Sequence, residues 1–450
     1  MGETNHALAD TLGQVMARAG LSGEVSALER LSGGANMESW AFACGGQGYV
    51  LRRAPSVEIM VGRPLDHAGE AAVIRAAHAA GVIAPEVVAE LSPDDGIGSG
   101  FVMRRLAGTA APEAALGVDK VGGGAALLRD LGTALAAIHR IDPATMTIAP
   151  RLDPAAGVEG LAAQFAQHGG DRPIVALGLG WLRANLPSPV APRLLHGDFR
   201  IGNLMTEGGR LTGVLDWELA HLGDYHEDLA FGCMAVWRFG RLDAPGFGLG
   251  SLDALIAAYR AAGGAPVDRA RFRFWLVYRT VWWALGCLGM GQMWRSGADR
   301  SLERVVVARR AAEQELDLLL LLEDEAPQAE RARPLPAAEP AAPREAGEPS
   351  AAEIVTAVGE WLATVKDRFA GRERFEHAVA RNALGIVARE LAARPCAEDR
   401  ALADDLLAGR ASLATPGLLA RLRRSALTKL AADQPKYPSL ALARDKWQAS

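Results

Sequence analysis

Cysteine is scarce in this 450-residue chain: Cys44, Cys233, Cys287 and Cys396 are scattered, and no two form a CxxC pair. That spacing excludes a zinc ribbon, and isolated thiols suit a reducing compartment better than a disulfide framework. A dominant charge is lacking too. The net charge is −5 and no basic stripe stands out, which excludes a nucleic-acid partner. The opening "MGETNHALADTLGQVMARAG" reads as an amphipathic helix without the apolar core of a signal peptide. The longest apolar stretch, "WLVYRTVWWALGCLGMGQMW" from Trp275, is interrupted by Arg279. Its clean part falls short of the roughly 18 to 20 residues that span a bilayer, so it reads as a buried helix. The expectation is a cytoplasmic protein with no membrane partner.

What is present is apolar material: half of the residues are hydrophobic, enough for substantial cores, and the length suggests two or three domains. Residues 325–349, "EAPQAERARPLPAAEPAAPREAGEP", consist of Pro, Ala, Glu and Arg with almost no large apolar side chain. Such a segment buries too little to fold, so it reads as a linker. Before it, residues 1–103 read as a leading helix and a β-rich lobe. "SALERLSGGANMESWAFAC" is a strand, a glycine turn and a strand; "GYVLRRAP" is a strand stopped by proline. "HAGEAAVIRAAHAAG" is a helix with Gly81 just past its end, and "GFVMRRLAG" is a further strand. Residues 104–324 are mainly helical, with two short strands embedded. In residues 350–450, Ile354, Val358, Trp361, Leu362 and Val365, then Phe375, Val379, Ile386 and Val387, recur at helical spacing. They suggest a small all-α bundle of about four helices.

The chemistry concentrates in "LLHGDFRIGNLM", residues 194–205, where His196, Asp198 and Asn203 stand among apolar residues. Thirteen residues after Asn203 comes Asp216, in "GVLDWE". The intervening "NLMTEGGRLTGVLD" reads as a β-hairpin turning at "EGGR", which brings Asn203 and Asp216 side by side. Two carboxylates and an amide oxygen at one mouth have the hard-oxygen character that Mg²⁺ prefers. Phosphoryl transfer needs such a set, with one carboxylate aimed at an attacking hydroxyl.

The pair "HGDFRIGN" and "LDWE" resembles the aminoglycoside phosphotransferase and choline kinase family, a branch of the protein-kinase-like fold. The resemblance covers residues 25 to about 320 and implies an α+β, bilobal kinase-like fold: β-rich N-lobe, helical C-lobe. It implies ATP and Mg²⁺ as cofactors, with Asp198 as catalytic base, Asn203 and Asp216 as Mg²⁺ ligands, and His196 holding the loop. "LSGGANMESW" takes the place of the nucleotide loop, with Gly33, Gly34 and Asn36 nearest the phosphates. "YVLRR" falls where the family has a lysine that pairs with an acid of the next helix, here Glu70. Arg52 aligns best and Arg53 is the alternative; arginine's fork binds phosphate bidentately and is no plain substitute. Met103 falls at the hinge that reads adenine. Asp228, in "GDYHEDLA", takes the place of the aspartate that anchors the catalytic loop. Glu218 reads equally as a nearby acid or a solvated strand-end charge.

The resemblance implies a small-molecule hydroxyl as the acceptor. Trp237, Trp282 and Trp283, with interspersed arginines, suit an apolar or anionic acceptor better than a polycationic antibiotic. "YVLRRAP", "HGDFRIGNLM" and "GVLDWELAHLGDYHEDLAF" are similar to the kinase-like domain fused to certain acyl-CoA dehydrogenases, which implies a 4-hydroxyacyl-CoA thioester. Two alternatives stay open: an aminoglycoside or small-alcohol kinase, and a non-catalytic scaffold with a helical interaction domain. Residues 350–450 resemble an uncharacterised helical domain, an accessory subunit or fusion partner, expected to mediate an intramolecular contact or homo-oligomer.

Overall fold

The computed structural model describes residues 2–31, 37–55, 64–117, 124–337, 351–393 and 399–448. Its contacts divide the chain into two compact units, Met1–Asp153 with Ser188–Phe272, and Pro154–Pro187 with Arg273–Ser450. Among the described residues no helix is long and apolar enough to cross a membrane.

The first unit opens with helix α1 (Gly2–Arg18), followed by a five-stranded antiparallel sheet: β1 (Val25–Arg30), β2 (Glu38–Cys44), β3 (Gln47–Ala54), β4 (Val87–Glu90) and β5 (Ser99–Arg104). The strand order is β1-β2-β3-β5-β4. Leu8, Leu12, Val15 and Met16 of α1 bury against Trp40, Phe42, Tyr49, Leu51 and Val102 of the sheet. One side of the helix is apolar at helical spacing, so a single face closes that side of the lobe. The β2–β3 hairpin turns at Gly45 and Gly46, both at positive φ (57° and 78°), the backbone that a two-residue hairpin requires. Its register sets Ser39 opposite Arg52 and Glu38 opposite Arg53.

Helix α2 (His67–Ala79) starts where Asp66 Oδ1 accepts from the Gly69 N–H at 2.7 Å. It ends as the Gly81 and Val82 N–H groups donate to His78 and Ala77, a Schellman closure that needs Gly81's left-handed backbone.

The remainder of this unit is helical, with α3 (Pro112–Gly117), α4 (Gly124–Ile138), α7 (His226–Phe231) and α8 (Leu252–Ala261). Four short strands are embedded in it: β6 (Arg193–Leu195), β7 (Leu204–Glu207), β8 (Arg210–Val214) and β9 (His221–Gly223). The two strand-like pieces of the sequence, 194–205 and "RLTGVLDWE", hold most of β6, the start of β7, and β8 among the described residues; β9, three residues long, is too short to show a period. Helix α4 crosses α8 at Gly132, where an added Cβ would lie 2.7 Å from Tyr259 N and 2.8 Å from Ala258 Cβ.

The second unit contains α5 (Pro154–His168), α6 (Pro173–Ala184), most of α9 (Arg269–Ser296), α10 (Leu302–Ala308), α11 (Ala311–Leu322), α12 (Gln328–Arg331), α13 (Ala351–Thr364), α14 (Gly371–Ala393), α15 (Arg400–Leu407), α16 (Leu418–Asp433) and α17 (Pro438–Gln448). Two expectations meet a different structure here. The first half of the expected linker is mostly exposed but not structureless: α12 forms within it, and buried Glu330 accepts from the Gly417 N–H at 2.7 Å and pairs with Arg333. Residues 338–350 lie outside the described residues.

Nor do the C-terminal helices, five rather than about four among the described residues, stand apart from the preceding ones. On and just after α11, Glu315, Asp317 and Glu323 are buried. Lys429 meets Glu315 at 2.6 Å, the Tyr437 hydroxyl donates to Asp317 at 2.6 Å, and Trp447 Nε1 donates to Glu323 at 2.8 Å. Arg423 joins them at 2.5 Å from Glu323. Removing either side would strand charges in the interior. Not all the apolar repeat is buried either: Trp361 is 62% exposed, with Ile354 and Val358 also exposed, because α13 packs on α14 through its other face.

A Gly132→Val substitution should separate α4 from α8. It should lower unfolding free energy by roughly 1–3 kcal/mol, the usual cost of overpacking, measured by urea denaturation.

Candidate active site

Strand β6 pairs with β9, Leu195 opposite His221, and delivers the chain to His196. Gly197 then turns at φ +80°, in a place where a Cβ would collide with the Leu219 carbonyl. The loop is fastened by one buried carboxylate. Asp228, in α7, accepts the backbone N–H of His196 at 2.7 Å and of Gly197 at 2.8 Å, and lies 3.2 Å from His139 Nε2. Burial alone would raise its pKa, but His139 and the backbone donors overcome that and hold it at about 2.

His196 is fully buried between Trp217 and Phe199. Its Nδ1 accepts from the Asp198 N–H at 3.1 Å, so Nε2 carries the proton and donates to the Leu215 carbonyl at 3.0 Å. Burial lowers its pKa, keeping the ring neutral in that tautomer. The ring thus ties the Asp198 backbone to the segment before Asp216.

The hairpin expected between Asn203 and Asp216 is present. β7 pairs with β8, Leu204 opposite Val214, and turns at Gly208 and Gly209 (φ 57° and 75°). The Leu215 N–H closes its mouth on the Asn203 carbonyl at 2.9 Å, which sets Leu215 opposite Asn203 and Asp216 next in line at the mouth. Asp216 itself takes φ +66°, an unfavourable backbone for a non-glycine residue of the kind that collects at functional sites.

Asp198 is held from both sides. Arg200 Nε donates to Oδ1 at 2.9 Å and Asn203 Nδ2 donates to Oδ2 at 2.6 Å. Burial raises its pKa to about 6, against the opposing pull of Arg200 and Asn203. Arg200 in turn lies over Trp237, 4.2 Å from the ring centroid.

Arg52 of β3, rather than Arg53, faces this mouth. Its Nε donates to Glu70 of α2 at 3.2 Å, while Nη2 donates to Asp216 at 2.8 Å and to Glu218 at 2.7 Å. Arg53 pairs instead with Glu38 at 2.7 Å. Burial works against the Arg52 charge, but the three acids outweigh it and keep the guanidinium more firmly protonated than usual. Glu70 is raised to about 7, first by burial and then by sharing one guanidinium with two other carboxylates, although Arg52 pulls the other way.

Met103 sits inside β5, opposite Val50 and Val87. The Arg104 and Arg105 N–H groups still bond to Glu86 and Gly48, so the chain leaves the sheet only at Leu106. Gly33, Gly34 and Asn36 lie outside the described residues. Trp282 and Trp283 belong to the other compact unit. Sequence reasoning passed over Arg200, although it stands two residues after Asp198. It also passed over His139, which carries no local signal because it meets Asp228 from 89 residues away.

Among the described residues, no three His, Cys, Asp or Glu side chains cluster as a metal site. The hard oxygens at the hairpin mouth nevertheless suit Mg²⁺, which takes one or two protein ligands and keeps water and substrate oxygens for the rest. The Asn203 amide turns its nitrogen to Asp198, leaving Oδ1 as its acceptor, and Arg52 engages only Oδ1 of Asp216.

Residues 27–275, more than half of the chain, match the model of the phosphotransferase enzyme family. The chain belongs to that family. It is therefore a phosphotransferase, of the class that acts on hydroxyl acceptors. Residues 367–437 match a second model, a domain of unknown function (DUF6285). A solved Ralstonia eutropha protein described as "a putative aminoglycoside phosphotransferase" superposes with a TM-score of 0.56 at 20% identity, covering 70% of this chain and 98% of that one. It shares the kinase-like fold. Among curated proteins, the phosphotransferase is 31% identical over 141 residues to "Probable acyl-CoA dehydrogenase IBR3" of Arabidopsis thaliana, covering 28% of this chain and 17% of the relative. It is 44% identical over 59 residues to acyl-CoA dehydrogenase family member 10 of Mus musculus, covering 13% and 6%. The chain thus spans 17% and 6% of these relatives' lengths.

Asp228→Ala should cost about 3–5 kcal/mol in chemical unfolding, as for breaking a buried ion pair. The native pKa near 2 lies below the roughly 3.9 of a free aspartate. The stabilisation is thus fully present above the free value and lost as pH falls through the native one. Acid unfolding of the phosphotransferase should lose that component in the variant.

Proposed function

We propose that this phosphotransferase transfers the terminal phosphoryl group of ATP, bound with Mg²⁺, to the hydroxyl of a 4-hydroxyacyl-CoA. The observation that carries the reading is the convergence of Asp198, Asn203, Asp216 and the Arg52–Glu70 pair on one mouth. Two features favour a CoA thioester acceptor. The curated relatives are acyl-CoA dehydrogenases by name, and Arg200 over Trp237 beside Asp198 offers a cationic, aromatic edge that suits an anionic acceptor.

In this reading Asn203 Oδ1 and Asp216 hold the metal, and Arg52 faces the phosphates with Glu70 behind it. The metal, when bound, draws charge from the phosphate oxygens. Asp198 orients the acceptor hydroxyl and takes its proton as the new O–P bond forms and the bond to the departing ADP oxygen breaks. His196 and Asp228 hold Asp198 in place and touch no substrate. The scaffold alternative draws on the Arg52–Asp216 pair, which occupies one oxygen of the proposed metal ligand.

Purified protein with Mg-ATP should consume ATP when given 4-hydroxyvaleryl-CoA, followed by coupled ADP release, and not with kanamycin or choline. The reverse pattern would reassign the acceptor, and nucleotide binding without turnover across an acceptor panel would establish the scaffold. Asp198→Ala should lower kcat by a factor of roughly 10²–10⁴, the usual contribution of a general base, while ATP still binds. Because the base acts ionised and its pKa is raised to about 6, kcat/KM should climb as pH rises through that value, and lose this limb in Asp198→Ala.

A further inference from the structure

One guanidinium faces three carboxylates at the mouth, and the division of its edges is unequal. Arg52 Nε serves Glu70, Nη2 serves both Asp216 and Glu218, and Nη1 has no partner among the described residues. An arginine can do this because its donors form a rigid planar fork, whereas a lysine ammonium is a single point. The two acids on Nη2 flank Trp217, which is fully buried and donates from Nε1 to the Val214 carbonyl at 3.1 Å. That anchor fixes the backbone on both sides of it, so Asp216 and Glu218 reach Arg52 from a pinned segment.

If Asp216 is to hold a metal ion, its bond to Arg52 weakens and the guanidinium needs another anchor. We infer that Glu218 is a positioning residue, holding Arg52 at the phosphate side of the mouth while Asp216 is given over to Mg²⁺. The inference rests on the kinase reading of the site. Without Glu218, Nη2 bonds to Asp216 alone, and arginine and metal compete for one carboxylate. The compensation belongs to the fork: Nε stays on Glu70 and fixes the guanidinium plane, so Nη2 keeps its aim at Glu218 when Asp216 lets go, whereas a point cation at position 52 has no plane to fix.

The test is binding of the non-hydrolysable analogue AMP-PNP to the full chain, by calorimetry across a Mg²⁺ titration. Glu218→Gln should raise the Mg²⁺ concentration for half-maximal binding about five- to tenfold, a coupling typical of residues in direct contact. In an Arg52→Lys background the same Glu218→Gln change should shift it by less than about twofold. The thermal midpoint of ligand-free Glu218→Gln serves as the fold control. Should that midpoint collapse, Glu218→Asp, one methylene shorter, should give a smaller shift in the same direction, again only when residue 52 is unchanged. Equal shifts in both backgrounds would make Glu218 a plain metal ligand, and no shift in either would make it inert; both results overturn the inference and leave the kinase reading standing. Failure of the unchanged protein to bind Mg-AMP-PNP would overturn the kinase reading, and this inference with it.

Discussion

The carboxylate of Asp228 is the fixed point of the loop that carries His196 and Asp198. It lies without solvent exposure in α7, yet stays ionised because two backbone N–H groups and His139 converge on it. A buried charge of this kind tolerates little displacement: each lost partner exposes the desolvation cost of the rest. The backbone of His196 and Gly197 is fixed accordingly, His196 then orients the Asp198 backbone, and the Leu215 carbonyl couples the loop to Asp216. One buried acid thereby sets the position of two others that lie nearer solvent.

The second constraint is the imbalance of charge at the mouth. Glu70, Asp216 and Glu218 surround a single guanidinium, and Asp198 stands one short loop away with Arg200 as its own counter-charge. Such a site carries excess negative charge and suits a small hard cation, which would offset it. The raised pKa values of Glu70 and Asp198 express the same imbalance, after burial as the first cause. Next to Asp198, Arg200 lies over Trp237 and adds a positive charge to that side of the mouth.

The helices after residue 350 are held by the same physics with the signs arranged differently. Acids on or beside a leucine-rich helix, α11, are matched by Lys429, Arg423, Tyr437 and Trp447 from the last sixty residues. Residues 367–437 match a family model of their own, yet they form one compact unit with 154–187 and 273–337. Those helices are part of the body that contains α9 and α11, with Lys429, Arg423, Tyr437 and Trp447 reaching Glu315, Asp317 and Glu323 from their side.

Local signals made much of this legible. Alternation and glycine turns marked β1 to β3, Gly81 marked the end of α2, and the "EGGR" turn brought Asn203 near Asp216 because a hairpin returns the chain alongside itself. The residues that sequence alone determined are those whose partners are near in the chain or dictated by a hairpin. Tertiary structure decided the rest. Which of Arg52 and Arg53 faces the site follows from strand alternation once β3 is paired on both sides, a choice that neither arginine announces. The roles of His139 and Glu218, the anchoring of the proline-rich stretch through Glu330, and the merger of the last helices with the preceding ones all depend on charges brought together from distant positions. A buried charge is chosen by what surrounds it, and a one-dimensional pattern of residues carries no record of those surroundings.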